Sequence, residues 1–216
     1  MTSAHSPEAL LLIGPACPHC AAMLEVLSKL VKSGAIAQLS VINVAQRPEA
    51  ARQFGVRSVP WLRLGEFELE GLHSEGEIQH WLEHLDSLPG KSEYLNGLLS
   101  SGKLEKVIAL AQDNAENLRA LLLLAADPEL SMKVQLGISA VFEELHGSAS
   151  LLAVIDDIGA LVENPSAKVR ADAAHFLSLT ESEKSRPYLL KLAKDHDAEV
   201  REIAGEGLEE CSGNPR

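Results

Sequence analysis

Residues 13–34 read IGPACPHCAAMLEVLSKLVKSG and place two cysteines at the start of a predicted helix. Met23, Leu27 and Leu30 recur at helical spacing, and Gly34 supplies a stop signal. The apolar run that precedes this stretch is short and ends in Gly-Pro, which is typical of a strand. The stretch therefore predicts a strand that feeds a helix, with both cysteines at the junction.

The alternation of strand and helix continues as far as about residue 88. Residues 35–44 are rich in β-branched side chains, and residues 48–55 begin with a proline that suits a first helical turn. Residues 61–71 alternate apolar and polar side chains around a glycine turn, as a hairpin does. Ser74 and Glu77 have the spacing of a capping box. The predicted order is β-α-β-α-β-β-α, an α/β fold.

No strand signal returns after the Pro-Gly pair at residues 89–90, which we interpret as a break in the chain. The segments that follow are about 10 to 15 residues long and have helical character. The sequence therefore predicts an α/β domain over residues 1–88 and an all-α domain over residues 89–216.

The helical part repeats itself with a period of 31 residues. The aligned pairs are Val169 with Val200, Arg170 with Arg201, Ala173 with Ala204 and Leu177 with Leu208. A looser copy begins at Asp127. Its residues at the aligned positions are Met132, Lys133, Leu136 and Ala140. This pattern resembles HEAT-like repeats, which implies stacked helix pairs in an α-solenoid, with the two arginines as ties between repeats. The alternative is an irregular helical bundle.

The charge of the chain limits its partners. Its 216 residues include 31 acidic and 19 basic ones, a formal charge of −12. Because no basic run is present, we exclude nucleic acid and anionic membrane surfaces as partners. No segment approaches the ~20 apolar residues of a membrane span. The N-terminus lacks the basic region of a secretory signal, so we expect a cytoplasmic protein, unless a signal peptide was removed.

Cys17 and Cys20 allow a redox disulfide, half of a metal site or a merely structural role. We expect Cys17 at the helix N-cap and Pro18 at the first helical position, with Cys20 on the same face. The positive helix end and a protonated His19 then favour a thiolate at Cys17. A second pair of metal ligands at suitable spacing is absent from the sequence. Redox chemistry is therefore the favoured interpretation, without a metal.

Residues 54–64 read FGVRSVPWLRL and place a Val-Pro pair about 40 residues after Cys20. With the topology and CPHC, this segment resembles the thioredoxin superfamily over residues 7–86. The resemblance implies that Pro60 is cis and that the backbone of Val59 pairs with an extended substrate segment. Trp61 is interpreted either as a wall of the substrate groove or as a core residue of the strand.

The same resemblance implies roles for the CPHC residues. Cys17 attacks, Cys20 resolves the mixed disulfide, and Pro18 with His19 tunes the thiolate. The CPHC sequence is that of the oxidising Dsb family, whose long helical insertion is missing here, so the direction of electron flow stays open.

The sequence also departs from thioredoxins, which carry a buried Asp and a Trp where this chain has Leu11 and Ala16. A proton acceptor for Cys20 would have to be Glu8, Glu70 or water.

Two weaker signals concern histidine and cysteine. His80, Glu83 and His84 match the H-x-x-E-H pattern of inverted zinc peptidases. We favour a histidine pair without a metal, because the five-residue match falls on the last helix of a small α/β domain. Cys211 is interpreted as an idle thiol or, alternatively, as a site of intermolecular disulfide formation.

The leading hypothesis is a thiol:disulfide oxidoreductase that acts on protein substrates and uses its helical repeats to recognise a partner. It would need no organic cofactor or metal, but it would need an external protein or small-molecule redox partner. The main rival is an interaction adaptor whose thioredoxin-like domain docks partners or senses redox state. A chaperone or assembly factor that uses the repeat surface is a third possibility.

Overall fold

The computed structural model describes residues 6–212, with the backbone alone at residues 211 and 212. The chain divides into two compact units, Met1–Gly90 and Lys91–Arg216. Strands occur among the described residues of the first unit, whereas the second is helical. The predicted combination of an α/β and an all-α part is therefore confirmed.

The first unit follows the predicted order of elements. Its described elements are β1 Glu8–Ile13, α1 Cys20–Ser33, β2 Gln38–Asn43, α2 Pro48–Gln53, β3 Trp61–Leu64, β4 Phe67–Glu70 and α3 Glu75–His84. The proline at the start of α2 occupies the first turn, where its missing N–H removes no helical hydrogen bond.

The four strands form one mixed sheet in the order β2-β1-β3-β4. Strand β1 is parallel to β2 and antiparallel to β3, and β3 is antiparallel to β4. Because β1 is central and helices cover both faces, Leu11 and Leu12 are both fully buried although they point to opposite sides. Leu11 packs in the core that α1 and α3 share, and Leu12 packs with residues of α2.

Helix α3 begins with the predicted capping box. The Ser74 hydroxyl accepts from the N–H of Glu77 at 3.3 Å, and the N–H of Ser74 donates to the Glu77 carboxylate at 2.7 Å. This backbone hydrogen bond is the main reason that the pKa of Glu77 lies below its usual value. Ile78, one residue further, is fully buried and anchors the helix against the sheet.

The two compact units divide after Gly90, close to the predicted break, but residues 89–90 lie in a helix and not in a loop. Helix α4 extends over Leu88–Ser100, and Pro89 lies in its first turn, where a proline is tolerated. The chain turns earlier, at residues 85–87. There the Ser87 N–H donates to the carbonyl of His84, and the Ser87 hydroxyl accepts from the Gly90 N–H, both at 3.1 Å. Ser87 therefore joins the turn to the start of the helix.

The second unit is built of successive helices. After α4 they are α5 Leu104–Asp113, α6 Ala115–Ala125, α7 Met132–Glu144, α8 Ala149–Leu152, α9 Ile155–Ala160, α10 Ala167–Ser178, α11 Arg186–Leu192 and α12 Ala198–Ser212, with a 3₁₀ turn at Leu161–Glu163. Helix α10 packs against both α11 and α12. No described helix is long and apolar enough to cross a membrane.

The loops that precede α10 and α12 are built alike. The side chain of Asn164 accepts from the Ser166 N–H, and the side chain of Asp195 accepts from the Asp197 N–H, both at 2.9 Å. Each helix then starts one residue after this turn. The predicted 31-residue period therefore corresponds to a repeated local structure, although its assignment to the HEAT class stays a prediction.

The two aligned arginines also repeat one contact, because each donates to the carbonyls five and six residues earlier in its own chain segment. Arg170 in addition forms a two-pronged pair with Asp195, with both N–O distances at 2.7 Å. The pair is mostly buried, and it lowers the pKa of Asp195 to about 2. Arg170 is thus a tie to the following repeat, as predicted. Arg201 has only its local bonds among the described residues.

The third copy of the repeat is out of the predicted frame by two residues. Asp127 does form the same turn, because its side chain accepts from the N–H of Glu129 at 2.9 Å. However, the loop from Asp127 to α7 is two residues longer than the loops before α10 and α12. Val134, not Met132, is therefore the buried counterpart of Val169 and Val200, and Met132 is 74% exposed.

We predict that Arg170→Leu lowers the free energy of unfolding of the helical unit by about 2 kcal/mol. This value lies between the typical cost of losing an exposed ion pair and the cost of breaking a buried one. The reason is that Asp195 would keep a charge with little solvent and no cation. Urea unfolding followed by circular dichroism measures the change. Arg201→Leu is the matched control and should cost less, because Arg201 donates to the backbone carbonyls of Asp195 and His196 and, among the described residues, to no carboxylate. Equal losses would contradict the assigned tie.

The same pair predicts a pH dependence. The folded-state pKa of Asp195, about 2, lies below its usual 3.8, so the pair stabilises the fold above about pH 4. This stabilisation is lost as the pH falls from about 4 towards 2. The difference between the wild type and Arg170→Leu should therefore shrink over this range. A difference that stays constant down to about pH 2 would show that the carboxylate is not responsible.

Candidate redox site

Cys17 and Cys20 are joined by a disulfide, with their Cα atoms 5.5 Å apart. This separation lies within the usual range for a disulfide. The bond closes a loop that contains only Pro18 and His19. The predicted redox pair is thus present in its oxidised form.

The cysteines are placed differently from the prediction at the helix start. Helix α1 begins at Cys20 and its N-cap is His19, so Cys17 is not the N-cap and Pro18 is not the first helical residue. The Cys17 N–H donates to the carbonyl of Gly14 at 3.3 Å, in a turn that ends before the helix. The Met23 N–H donates to the carbonyl of His19 at 3.1 Å, which is the bond expected when His19 is the N-cap. Cys17 therefore lies just ahead of the helix, and Cys20 is its first residue.

The two sulfur-bearing residues differ in exposure. Cys17 is partly exposed, whereas Cys20 is only 6% exposed and packs at the base of the loop. Pro18 and His19 are exposed, and the His19 side chain makes no capping hydrogen bond. A reactant from solution can therefore reach Cys17 more readily than Cys20.

The segment around Pro60 lies directly against Cys17. The Val59–Pro60 peptide bond is cis, as the resemblance implied. The sulfur of Cys17 is 3.5 Å from the carbonyl oxygen of Val59, although the two residues are 42 positions apart. A Cβ atom added at Gly14 would lie 3.2 Å from the Val59 side chain, so the loop before Cys17 also contacts Val59.

The main chain of Val59 is available on its amide side. Val59 is partly exposed, and its N–H forms no hydrogen bond with another described residue. Pro60 is buried, and its carbonyl accepts from the N–H of Gly71 at 2.9 Å. Pro60 is thereby held from the side of β4, while Val59 faces the sulfur.

Trp61 is a core residue and not a wall of a groove. It is 1% exposed and stacks on Phe54, with ring centroids 5.3 Å apart and planes 19° apart. The Arg63 guanidinium lies 4.6 Å from the centroid of the Phe54 ring. The Trp61 side chain cannot contact a substrate from this buried position, which corrects the first of the two interpretations.

Leu72 is a surface residue near the site, and the sequence analysis did not identify it. It follows Gly71, whose N–H is bonded to the Pro60 carbonyl, and it is 49% exposed. Gly71 has a φ of +89°, a conformation that favours glycine. An apolar residue directly after a glycine at a strand end was the available signal. Its exposed apolar side chain directly follows the residue that bonds to Pro60.

The structure also separates the suggested proton acceptors. Leu11 belongs to the core, so no acid occupies the position of the thioredoxin aspartate. Glu8 begins β1 and is separated from the Cys17 end of that strand by about 16 Å of extended chain. It is therefore not a partner for Cys20. Glu70 lies opposite Trp61, at the same sheet end as the disulfide, and it is exposed.

The H-x-x-E-H histidines form a local pair. The rings of His80 and His84 have centroids 4.5 Å apart, and Nδ1 of His84 donates to the carbonyl of His80 at 2.7 Å. Among the side chains described, those of residues 6–210, no group of three or more histidine, cysteine, aspartate or glutamate residues is arranged to hold a metal. The Cys211 side chain lies outside the described residues, so its predicted role stays untested.

The redox site lies in a part of the chain that matches a known protein family. The family model described as Thioredoxin domain matches residues 9–83, a range that includes both cysteines and Pro60. No curated protein matches the chain significantly. The match, the sheet order and the disulfide agree, and together they support thiol–disulfide redox function. The N-terminal unit of this chain belongs to the thioredoxin superfamily.

Proposed function

We propose that the protein is a thiol:disulfide oxidoreductase that exchanges disulfides with protein substrates through Cys17 and Cys20. The observation that carries the proposal is the position of the partly exposed Cys17, whose sulfur lies 3.5 Å from the Val59 carbonyl, next to the buried Cys20. An exposed sulfur can form a mixed disulfide with a large partner, and a sheltered sulfur can break it within the protein.

The chemistry is a pair of exchange steps. In the reducing direction, the Cys17 thiolate attacks one sulfur of a substrate disulfide; a Cys17–substrate bond forms as the substrate bond breaks, and the leaving thiolate takes up a proton. The Cys20 thiolate then attacks the Cys17 sulfur and releases the second substrate thiolate. Two electrons pass to the substrate, and an external dithiol must reduce the pair again. The oxidising direction is the reverse sequence, with an external disulfide as the oxidant.

The substrate would be positioned by main-chain contacts. The free N–H and the carbonyl of Val59 suit an extended segment that adds alongside residues 58–60, in the manner of an added strand. Leu72, exposed beside this segment, would supply apolar contact to a substrate side chain. Because backbone groups make the main contacts, this mode accepts many sequences.

The residues around the cysteines would set the balance between oxidant and reductant. His19 is exposed at the start of α1, and when protonated it stabilises a Cys17 thiolate more than it stabilises the disulfide. Stabilising the reduced form makes the disulfide a stronger oxidant. Pro18 removes a backbone donor from the same turn. Water or Glu70 would accept the Cys20 proton, because Leu11 cannot.

We assign partner recognition to residues 89–216 and the chemistry to residues 1–88. The helical part carries no second pair of cysteines, since Cys211 is its only one. Its consecutive helices expose a large surface of side chains, which suits binding to a protein. No organic cofactor or metal is needed for the exchange steps.

We predict that Cys20→Ala accumulates a mixed disulfide between Cys17 and a protein thiol, because the sulfur that would release the partner is gone. The experiment is to express the tagged variant, to block free thiols with acid and an alkylating agent, and to resolve the adducts by non-reducing electrophoresis. Mass spectrometry then identifies the attached cysteine and the partner.

The matched control is the double variant Cys17→Ser with Cys20→Ala, which should trap nothing.

Cys17→Ser alone should lose the acceleration of insulin reduction by dithiothreitol that we expect of the wild type. If the wild type and Cys17→Ser reduce insulin at the same rate, the oxidoreductase proposal is wrong. Tight capture by Cys20→Ala combined with very slow exchange by the wild type would instead support the adaptor.

We predict that His19→Gln makes the pair less oxidising, because the reduced form loses a positive neighbour. A change on the order of 30 mV corresponds to a tenfold change in the equilibrium with glutathione. Equilibration of the protein with glutathione buffers, followed by thiol alkylation, measures it. Lys29→Gln serves as a charge control further along α1, where Lys29 pairs with Glu25. An equal or larger change in the control would remove His19 from its assigned role.

A further inference from the structure

Helix α7 presents two large apolar side chains to solvent. Met132 is 74% exposed and Leu136 is 65% exposed, more than any other large apolar residue described. The two are four residues apart on one helix, so they lie side by side on one face. We call this pair the ridge.

The core does not need the ridge. The opposite face of α7 already buries Val134, Ile138 and Phe142, and Phe142 stacks on Phe176 with ring centroids 4.1 Å apart. A polar residue at either ridge position would leave this packing unchanged. Two adjacent exposed apolar side chains with no role in the fold are a candidate contact for a partner.

The surface beside the ridge continues onto α10. Gln135 and Ser139, which flank the ridge on α7, line a small crevice together with Asp172 of α10. Glu143, further along α7, pairs with His175 of α10 at 3.4 Å. The outer faces of the two helices are therefore contiguous, and the ridge borders on a carboxylate.

Asp172 is partly buried and forms no ion pair with the residues that the structure describes. Burial raises the pKa of Asp172, and Glu199 on α12 acts in the same direction, against Lys168 and His175. Glu199 shares one face of α12 with Glu202 and Glu206, all three of them exposed. The surface formed by α10 and α12 beside this crevice therefore carries an excess of negative charge, with Lys168 and His175 as the neighbouring basic residues.

We propose that the outer faces of α7, α10 and α12 bind a basic, amphipathic segment of a partner protein. Its apolar side chains cover Met132 and Leu136, and its lysine or arginine side chains pair with Asp172 and Glu199. The proposal rests on the proposed role of the helical part in partner recognition, but it does not depend on the chemistry of Cys17.

The charges select this occupant over others. An apolar segment without cations would bury Asp172 further and leave it unpaired, which opposes binding. Nucleic acid and anionic membranes are repelled by the same carboxylates. A basic amphipathic segment satisfies both features of the surface, because it supplies apolar contact and countercharge together.

The test uses the full chain and a fluorescein-labelled peptide of leucine and lysine, about 14 residues long, so that a helix would span ~21 Å. We expect binding by fluorescence anisotropy that weakens as salt rises from about 50 to about 200 mM. The peptide with glutamate in place of lysine should not bind. Met132→Ser with Leu136→Ser should weaken binding at least about tenfold, since two apolar contacts are lost.

The charge arm uses Asp172→Asn with Glu199→Gln, which should weaken binding about fivefold and flatten its salt dependence. The control for the ridge variant is Leu152→Ser with Leu190→Ser, which changes two exposed leucines elsewhere. The control for the charge variant is Glu105→Gln with Glu183→Gln, which removes two exposed carboxylates elsewhere. Both controls should bind as the wild type does. Circular dichroism verifies that every variant is folded.

Several outcomes would overturn the proposal. It is wrong if the glutamate peptide binds equally well, or if the ridge variant binds as tightly as the controls. It is also wrong if sedimentation shows a dimer that the ridge variant dissociates, because the occupant is then a second copy of the chain. Insulin reduction by the same samples separates the two proposals: intact reduction without peptide binding refutes only the surface, and binding without reduction refutes only the oxidoreductase.

Discussion

The antiparallel register of β1 and β3 is the constraint on which the redox site depends. Leu12 lies opposite Trp61, and the same register continued by two residues brings Gly14 against Val59. The loop that carries Cys17 therefore starts in contact with the cis-proline segment. A slip of one residue would turn every β1 side chain to the other face of the sheet. Since both faces of β1 are packed, the core holds the register that aligns sulfur and carbonyl.

Much of the first unit could be predicted because its signals are local. A capping box, a proline in a first turn and alternating residues in a hairpin each report the conformation of a few neighbours. The two errors came from signals that local pattern leaves ambiguous. Pro89 is equally compatible with a loop and with a first helical turn, and Cys17 could have capped a helix. Cys17 does not cap the helix because its N–H donates to the carbonyl of Gly14, in the turn before the helix.

Residues brought together across the chain were harder to predict from sequence. Trp61 could line a groove or fill a core, and only its packing on Phe54 settles which. The repeat frame shows the same limit, because Asp127 preserves the turn while a loop longer by two residues shifts the helix that follows. Alignment by residue type then put Met132 where Val134 belongs. Burial, not residue type, defines equivalent positions in stacked helices.

The two proposed sites obtain selectivity by different physical means. At Val59 the main chain offers an N–H and a carbonyl, which any extended segment can pair with, so contact there discriminates poorly among sequences. Discrimination then has to come from side chains elsewhere on the protein, and the ridge with its neighbouring carboxylates offers apolar contact and charge. Under the proposed function, a partner bound by the helical part would meet Cys17 at a raised effective concentration. Weak, unselective contact at the sulfur would then be sufficient, and it would also permit release once Cys20 had broken the mixed disulfide.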